Sequence, residues 1–226
     1  MDKVHRNYVD IKVAFSSAAK NLSIGKAKKF LHIGCGPKHK NQTTRGFNTV
    51  GWNEVRLDID KSVLPDIIGS MTDMSAIMDS SVDAIFSSHN IQQLYPFEVP
   101  VALAEFRRVL KPDGFVVIIC PDLQAAAALI AADKLTEPAY TSSAGPIAPI
   151  DILYGHRLSI ANGNLYMAHR CGFTQKVLNG TLQACGFTAL IGIRRTYPFY
   201  ELWTVASVSN RDHDAMRAIA AEHFPK

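Results

Sequence analysis

Apolar positions recur along this chain with two periods, and the breaks between them mark the elements. Ile11, Phe15, Ala18 or Ala19 and Leu22 return at helical spacing, which predicts an amphipathic helix near the N-terminus. Residues 29–33 form a short apolar run that stops at Gly34-Cys35-Gly36-Pro37, the pattern of a buried strand entering a tight turn. Residues 38–53 show no apolar face and read as a loop. Residues 55–59 alternate and end acidic, as a second strand does, and a short third strand is predicted over 65–70. A helical turn is expected over 75–78. A fourth strand over 82–87 runs into the polar group Ser88-His89-Asn90. Val99, Leu103, Phe106 and Leu110 share one face of a helix over 99–110, which Pro100 opens and Lys111-Pro112 closes. Asp113-Gly114 then turns the chain into residues 115–120, a continuous apolar run suited to the middle of a parallel sheet.

Regularity lapses between residues 121 and 172. An alanine-rich helix is followed by Pro138, Pro146 and Pro149 among several Gly and Ser residues, and long irregular connections of this kind form lids or binding loops. A helix capped by Thr174 follows, with Val177, Leu178 and Leu182 inward and Gly186 as its stop. Strands over 187–194 and 202–208, joined by a turn containing Pro198, precede a terminal helix with Met216, Ile219, Ala220 and Phe224 on one face. Alternating strand and helix implies an α/β fold with a doubly wound, mostly parallel sheet. Ligands bind such sheets beyond the carboxyl ends of the strands, where the strand order reverses. That rule collects the glycine turn, Asp58, residues 70–73 and residues 88–90 into one candidate site.

Composition changes this picture little. The 226 residues, 47% hydrophobic and 19% charged, suit one folded α/β domain over residues 1–226, with 121–172 as a lid or specificity insertion. The net charge of +4 is concentrated around the glycine turn, in Lys26, Lys28, Lys29, Lys38, His39, Lys40 and Arg45. Such a cluster is either a basic mouth for an anion or a solvated face. With no arginine-rich run and no aromatic-interleaved stripe, nucleic acid is disfavoured as a partner. Cys35, Cys120, Cys171 and Cys185 lack metal-type spacing, so no metal is expected, and Cys120 and Cys185 read as small core residues. The N-terminus has no apolar leader and no run spans a bilayer, which predicts a soluble cytoplasmic protein with no membrane association.

The ordered motifs over residues 29–122 resemble class I S-adenosylmethionine (SAM)-dependent methyltransferases of the methyltransferase type 11 kind. Leu31-His32-Ile33-Gly34-Cys35-Gly36 is similar to the family's first motif, and Leu57-Asp58-Ile59-Asp60 to its acidic second-strand end. Residues 83–89 resemble its fourth strand, and residues 105–115 the helix and turn before the fifth. His32 stands where the family often has an acidic residue, Lys38 where it has a third glycine, Ser70 where an Asp often meets adenine, and Gln93 where a His is common. The resemblance implies a seven-stranded Rossmann-like methyltransferase sheet with an antiparallel C-terminal strand. It also implies SAM as cofactor, with S-adenosylhomocysteine as product.

The cofactor residues that the resemblance implies are His32, Gly34, Cys35, Gly36, Asp58, Ile59, Met71, Thr72, Asp73, Ser88 and His89. Gly34 to Gly36 would pass under the methionine part. Asp58 would accept both ribose hydroxyls, with Asp60 as its substitute. Met71 would lie along adenine with Thr72 or Asp73 at its amino group. Ser88 would meet the methionine ammonium through its carbonyl. His89 is the candidate general base, or else a histidine packed beside the pocket. Asn90, Tyr154, His156, Arg157, His169 and Arg170 are candidate acceptor contacts, and the two Arg and two His among them suit an anionic acceptor. The expected function is methyl transfer to a small or medium-sized acceptor. A non-catalytic SAM sensor or partner subunit, an RNA or protein methyltransferase, and a nicotinamide oxidoreductase are the rivals. Oligomeric state is not legible.

Overall fold

The computed structural model describes residues 27–226, and the helix expected near the N-terminus lies outside the described residues. The strands are β1 (Lys28–Ile33), β2 (Trp52–Asp58), β3 (Ile67–Ile68), β4 (Val82–Ser88), β5 (Leu110–Pro121), β6 (Tyr140–Ser142), β7 (Gly145–Ile147), β8 (Ala189–Arg195) and β9 (Glu201–Ser207). The helices are α1 (Val99–Val109), α2 (Leu123–Ala131), α3 (Pro149–Tyr154), α4 (Arg157–Ala161), α5 (Gln175–Ala184) and α6 (His213–His223). Seven strands form one sheet in the order β3-β2-β1-β4-β5-β9-β8, and β6 and β7 form a separate hairpin. Strands β1 to β5 are mutually parallel, while β9 runs antiparallel to both β5 and β8. Strand order reverses between β1 and β4, so the expected doubly wound sheet with an antiparallel C-terminal strand is what the chain forms.

Alternation along the strands loads both faces of the sheet. Leu31, Ile33, Ile85, Val116 and Ile118 pack with Leu103 and Phe106 of α1 and with Leu178 and Leu182 of α5. Phe30, Phe86, Phe115 and Val117 pack on the opposite face with Met216, Ala220 and Phe224 at the chain's end. Burying each such side chain stabilises the fold by roughly 1.5–3 kcal/mol. A third, small cluster of Ala126, Ile147 and Ile152, with Tyr140 and Tyr200 against it, holds the 121–172 segment together.

Several local expectations need correction. No helix forms over residues 75–78. Arg108 instead holds that stretch in turns by donating to the Met74 and Ile77 carbonyls, while Glu105 accepts the Met74 N–H. Helix α1 ends at Val109 because Leu110 is already extended, and the residues before Phe115 bulge out of β5. Val177 is 51% exposed rather than inward, leaving Leu178 and Leu182 as the buried face of α5. Cys185 is only partly buried, whereas Cys120 is a core residue.

Residues 38–53 form a loop with one short 3-10 turn, Lys40–Gln42. The loop is nevertheless anchored in the core. Phe47 is fully buried and stacks on Phe30 with ring centroids 4.3 Å apart. Two members of the basic cluster serve this anchoring: Lys40 Nζ donates to the Thr49 and Trp52 carbonyls, and Arg45 donates to the Ala221 and Phe224 carbonyls at the end of α6. No described helix is long and apolar enough to cross a membrane.

The same corner makes the fold acid-sensitive. His223 is 2% exposed, its Nδ1 lies 2.6 Å from Thr44 Oγ1, and its Nε2 has no partner among the described residues. Burial, helped by the Arg45 cation, pushes its pKa down from 6.5 to about 4. The unfolded chain therefore takes up a proton that the folded chain refuses. Stability is fully present above pH 6.5 and is lost progressively as pH falls towards about 4, by about 3 kcal/mol at most. Urea midpoints measured across that window should fall in the native protein. They should fall less steeply in His223→Phe.

Candidate functional site at the carboxyl edge of the sheet

Each parallel strand delivers its last residue to one edge of the sheet. Beyond β1 the chain turns at once: Gly34 has φ +58° and Gly36 φ +53°. The Gly34 and Cys35 N–H groups donate to the Leu57 carbonyl at 2.9 and 3.3 Å, and the Gly36 N–H donates to Asp58 Oδ2 at 2.7 Å. The glycine turn is thus tied to the end of β2 by three backbone donors. On its other side the Asn90 amide donates to the Ile33 carbonyl and accepts from the Ser87 hydroxyl, which fastens the turn to the end of β4.

The two glycines serve different purposes. A Cβ on Gly34 would collide with the Asn90 side chain, whereas a Cβ on Gly36 would meet no atom of the described residues within 4 Å. Gly34 is required by the protein's own packing. Gly36 borders open space.

Asp58 is 9% exposed and accepts from the Gly36 N–H through Oδ2 and from the Asp60 N–H through Oδ1. A carboxylate accepts about four hydrogen bonds, so each oxygen keeps capacity for a ligand donor. Asp60 turns instead to the Ser62 N–H. Ile59, next along, is about half exposed. Beneath this ledge lies Arg56, 7% exposed, whose guanidinium donates to the Gly36, Lys38, Val63 and Leu64 carbonyls. It clamps the glycine turn to the loop after β2.

Beyond β3, Met71 is partly buried against the core and Thr72 Oγ1 lies 2.7 Å from Ser70 Oγ. Thr72 and the exposed Asp73 line a groove of about 800 Å³ along α1, shared with Pro100, Val101, Ala104, Glu105 and Arg108. Beyond β4, Ser88 Oγ is 3.1 Å from His89 Nδ1. His89 has φ +57°, an uncommon conformation for a non-glycine residue, and its N–H donates to the Ile119 carbonyl. Burial pushes the His89 pKa down, opposed by Glu201 and helped by Lys38 and His169.

The remaining sequence candidates are placed as follows. His32 is 2% exposed, set between Phe30 and Phe86, with Nδ1 2.7 Å from Glu54 Oε1. Its ring is packed in the core, and burial lowers its pKa despite Glu54. Cys35 is buried in the turn, and burial raises its thiol pKa to about 11. Asn90 has both ends of its amide engaged. Tyr154 is exposed, His156 Nδ1 is 2.7 Å from Ser159 Oγ, and Arg157 is bound to Asp151 at 2.7 Å. His169 Nδ1 donates to the Ile152 carbonyl and faces Gln92 on its other side. Arg170 donates to the Gln93 carbonyl and covers the Tyr95 ring. The cationic groups expected to grip an anion are therefore largely engaged with the protein itself.

Sequence reasoning missed Arg56, Glu54 and Glu201. Strand alternation places Arg56 and Glu54 on β2 without revealing what they bond. Glu201 opens β9, and the antiparallel direction of that strand brings it beside Pro121 at the carboxyl edge of β5.

A family model described as a methyltransferase domain matches residues 31–118. No curated protein matches the chain's sequence. Among solved structures, the PH0226 protein from Pyrococcus horikoshii is similar over 89% of this chain and 90% of its own, with 15% identity and a TM-score of 0.54. The Burkholderia thailandensis 1,6-didemethyltoxoflavin-N1-methyltransferase, solved with 1,6-didemethyltoxoflavin and S-adenosylhomocysteine, is similar over 91% of this chain and 87% of its own. Its identity is 15% and its TM-score 0.52. At such identity the likeness is one of fold.

Proposed function

We propose that this chain, whose residues 31–118 match a methyltransferase-domain model, is a class I methyltransferase that transfers a methyl group from SAM to a small or medium-sized acceptor. The observation that carries the reading is the ledge built by Gly36 and Asp58. The space a Cβ on Gly36 would fill is open, and a buried carboxylate with spare acceptor capacity stands beside it. Those two features fit a nucleoside with a zwitterionic tail. Gly36 allows close approach, Asp58 holds the ribose hydroxyls, and Ile59, Met71, Thr72 and Asp73 border the base. The Ser88 carbonyl receives the ammonium. His32 and Asn90 support this ledge from below rather than touching the ligand.

SAM supplies an already activated methyl group on a sulfonium. The protein's part is to exclude water, to align the acceptor and to accept a proton where the acceptor has one to lose. His89 is the group placed for that last task. The 121–172 segment, pinned to the turn after β4 through Arg170 and Cys171, is the proposed lid. The relative with bound 1,6-didemethyltoxoflavin supports a small-molecule acceptor. Because Arg157, His156 and His169 are engaged within the protein, the acceptor need not be anionic. Four free thiols suit the reducing cytoplasm.

Calorimetry with SAM and S-adenosylhomocysteine tests the pocket. Asp58→Ala should weaken binding by about 1.5–3 kcal/mol, since it removes an ionised acceptor and releases the Gly36 N–H. Unchanged affinity would remove Asp58 from the site. Transfer of labelled methyl to a small-molecule extract separates the enzyme from a SAM sensor, which would bind and transfer nothing.

A further inference from the structure

Glu201 is the first residue of the antiparallel strand β9 and lies outside the family-matched region, yet it reaches the end of β4. Its Oε1 is 3.4 Å from His89 Nε2. Its Oε2 accepts from the Trp203 indole N–H at 2.9 Å and from the Arg195 guanidinium at 3.4 Å. The carboxylate is 19% exposed and fixed by groups on two strands. An ionised carboxylate only accepts, so the imidazole nitrogen facing it carries the proton. His89 Nδ1 is then the lone-pair nitrogen, and the Ser88 hydroxyl 3.1 Å away donates to it. The left-handed backbone of His89 is held by its N–H bond to Ile119 and by these side-chain partners together.

We infer that Glu201 is a positioning residue that sets His89 as a proton acceptor through Nδ1, and hence that the methylated atom bears a proton, as a hydroxyl or ring N–H does. The inference rests on the methyltransferase reading of the site. The acceptor's X–H bond breaks, its electron pair forms the bond to the methyl carbon, and the proton passes to the Ser88 hydroxyl oxygen as that hydroxyl gives its own proton to Nδ1. The electron pair of the broken S–C bond returns to sulfur. The imidazolium formed is balanced by Glu201. The other charged or titratable groups acting on the ring are Lys38 from the glycine turn and His169 from the 121–172 segment, and both oppose protonation. Among the described residues, no other group offsets them.

The test is nitrogen-15 NMR of histidine-labelled full-length protein. Native His89 should show the tautomer protonated at Nε2. In Glu201→Gln, which keeps the shape and the acceptor oxygen, its titration midpoint should drop by about one pH unit, the effect of one charge at this distance in a water-like medium. Glu201→Asp should restore part of that drop. The Nδ1-protonated tautomer in the native protein overturns the inference even if no variant folds, and so does an unmoved midpoint in folded Glu201→Gln. SAM calorimetry on the same samples keeps the two readings apart. Loss of SAM binding by the native protein defeats the methyltransferase reading alone, whereas an unmoved midpoint with SAM affinity intact defeats the role of Glu201 alone.

Discussion

Asp122→Ala should cost about 3–4 kcal/mol of folding stability, because one side chain both caps a helix and holds a guanidinium. Asp122 is fully buried just beyond β5. Its Oδ1 accepts the N–H groups of Gln124 and Ala125 and so caps α2, and its Oδ2 meets the Arg194 guanidinium of β8 at 2.7 Å. Its own N–H donates to the Tyr200 carbonyl. Truncation leaves α2 uncapped and the guanidinium without its carboxylate. Arg194 is 37% exposed, so water recovers part of its loss, which keeps the figure at the low end for a broken buried pair. Asp122→Asn retains the cap and should cost distinctly less. Urea denaturation of both variants, and of Arg194→Met alone and combined with Asp122→Ala, gives the coupling. A cost for Asp122→Ala below about 1 kcal/mol would show the pair to be superficial.

The second large effect separates the two glycines of the turn. Gly36→Val should leave the sheet folded yet weaken SAM binding by about 2–3 kcal/mol, roughly 30- to 150-fold, because its side chain enters the space assigned to the ligand. Some strain at φ +53° accompanies it, but no atom of the described residues stands in the way. Gly34→Ala should do the reverse damage first, lowering the melting temperature as its Cβ drives Asn90 off the Ile33 carbonyl. Calorimetry and thermal melts on the pair distinguish them. Native-like SAM affinity in Gly36→Val would show that the turn faces nothing.

The parallel half of the sheet was legible because its signals are local. A continuous apolar run marked β5 as a strand buried on both faces, although it borders the parallel strands between β4 and antiparallel β9 rather than standing in their middle, and the stops at Gly34, Asp58 and Ser88 marked where strands end. What escaped depends on partners far apart in the chain. Phe47 sits in a polar stretch, and its burial depends on rings elsewhere in the chain, Phe30, Phe86, Phe115 and His223. Arg56 looks like the polar member of an alternating strand, yet its guanidinium is spent on four carbonyls of two loops. His32 occupies a cofactor motif position, but the strand's pleat turns it inward to Glu54. The engagement of Arg157 by Asp151 has no sequence signature either, which is why a cluster of cations suggested a grip on an anion.

The reversed direction of β9 also bears on synthesis. The five parallel strands leave the ribosome in sequence with the glycine turn and Asp58 already able to meet. The open side of β5 must then wait until Leu202 to Ser207 have been made before they can pair with it. Until then Val117 and Ile119 present an unpaired edge, and nascent chains stalled before residue 201 are the ones that should recruit chaperones.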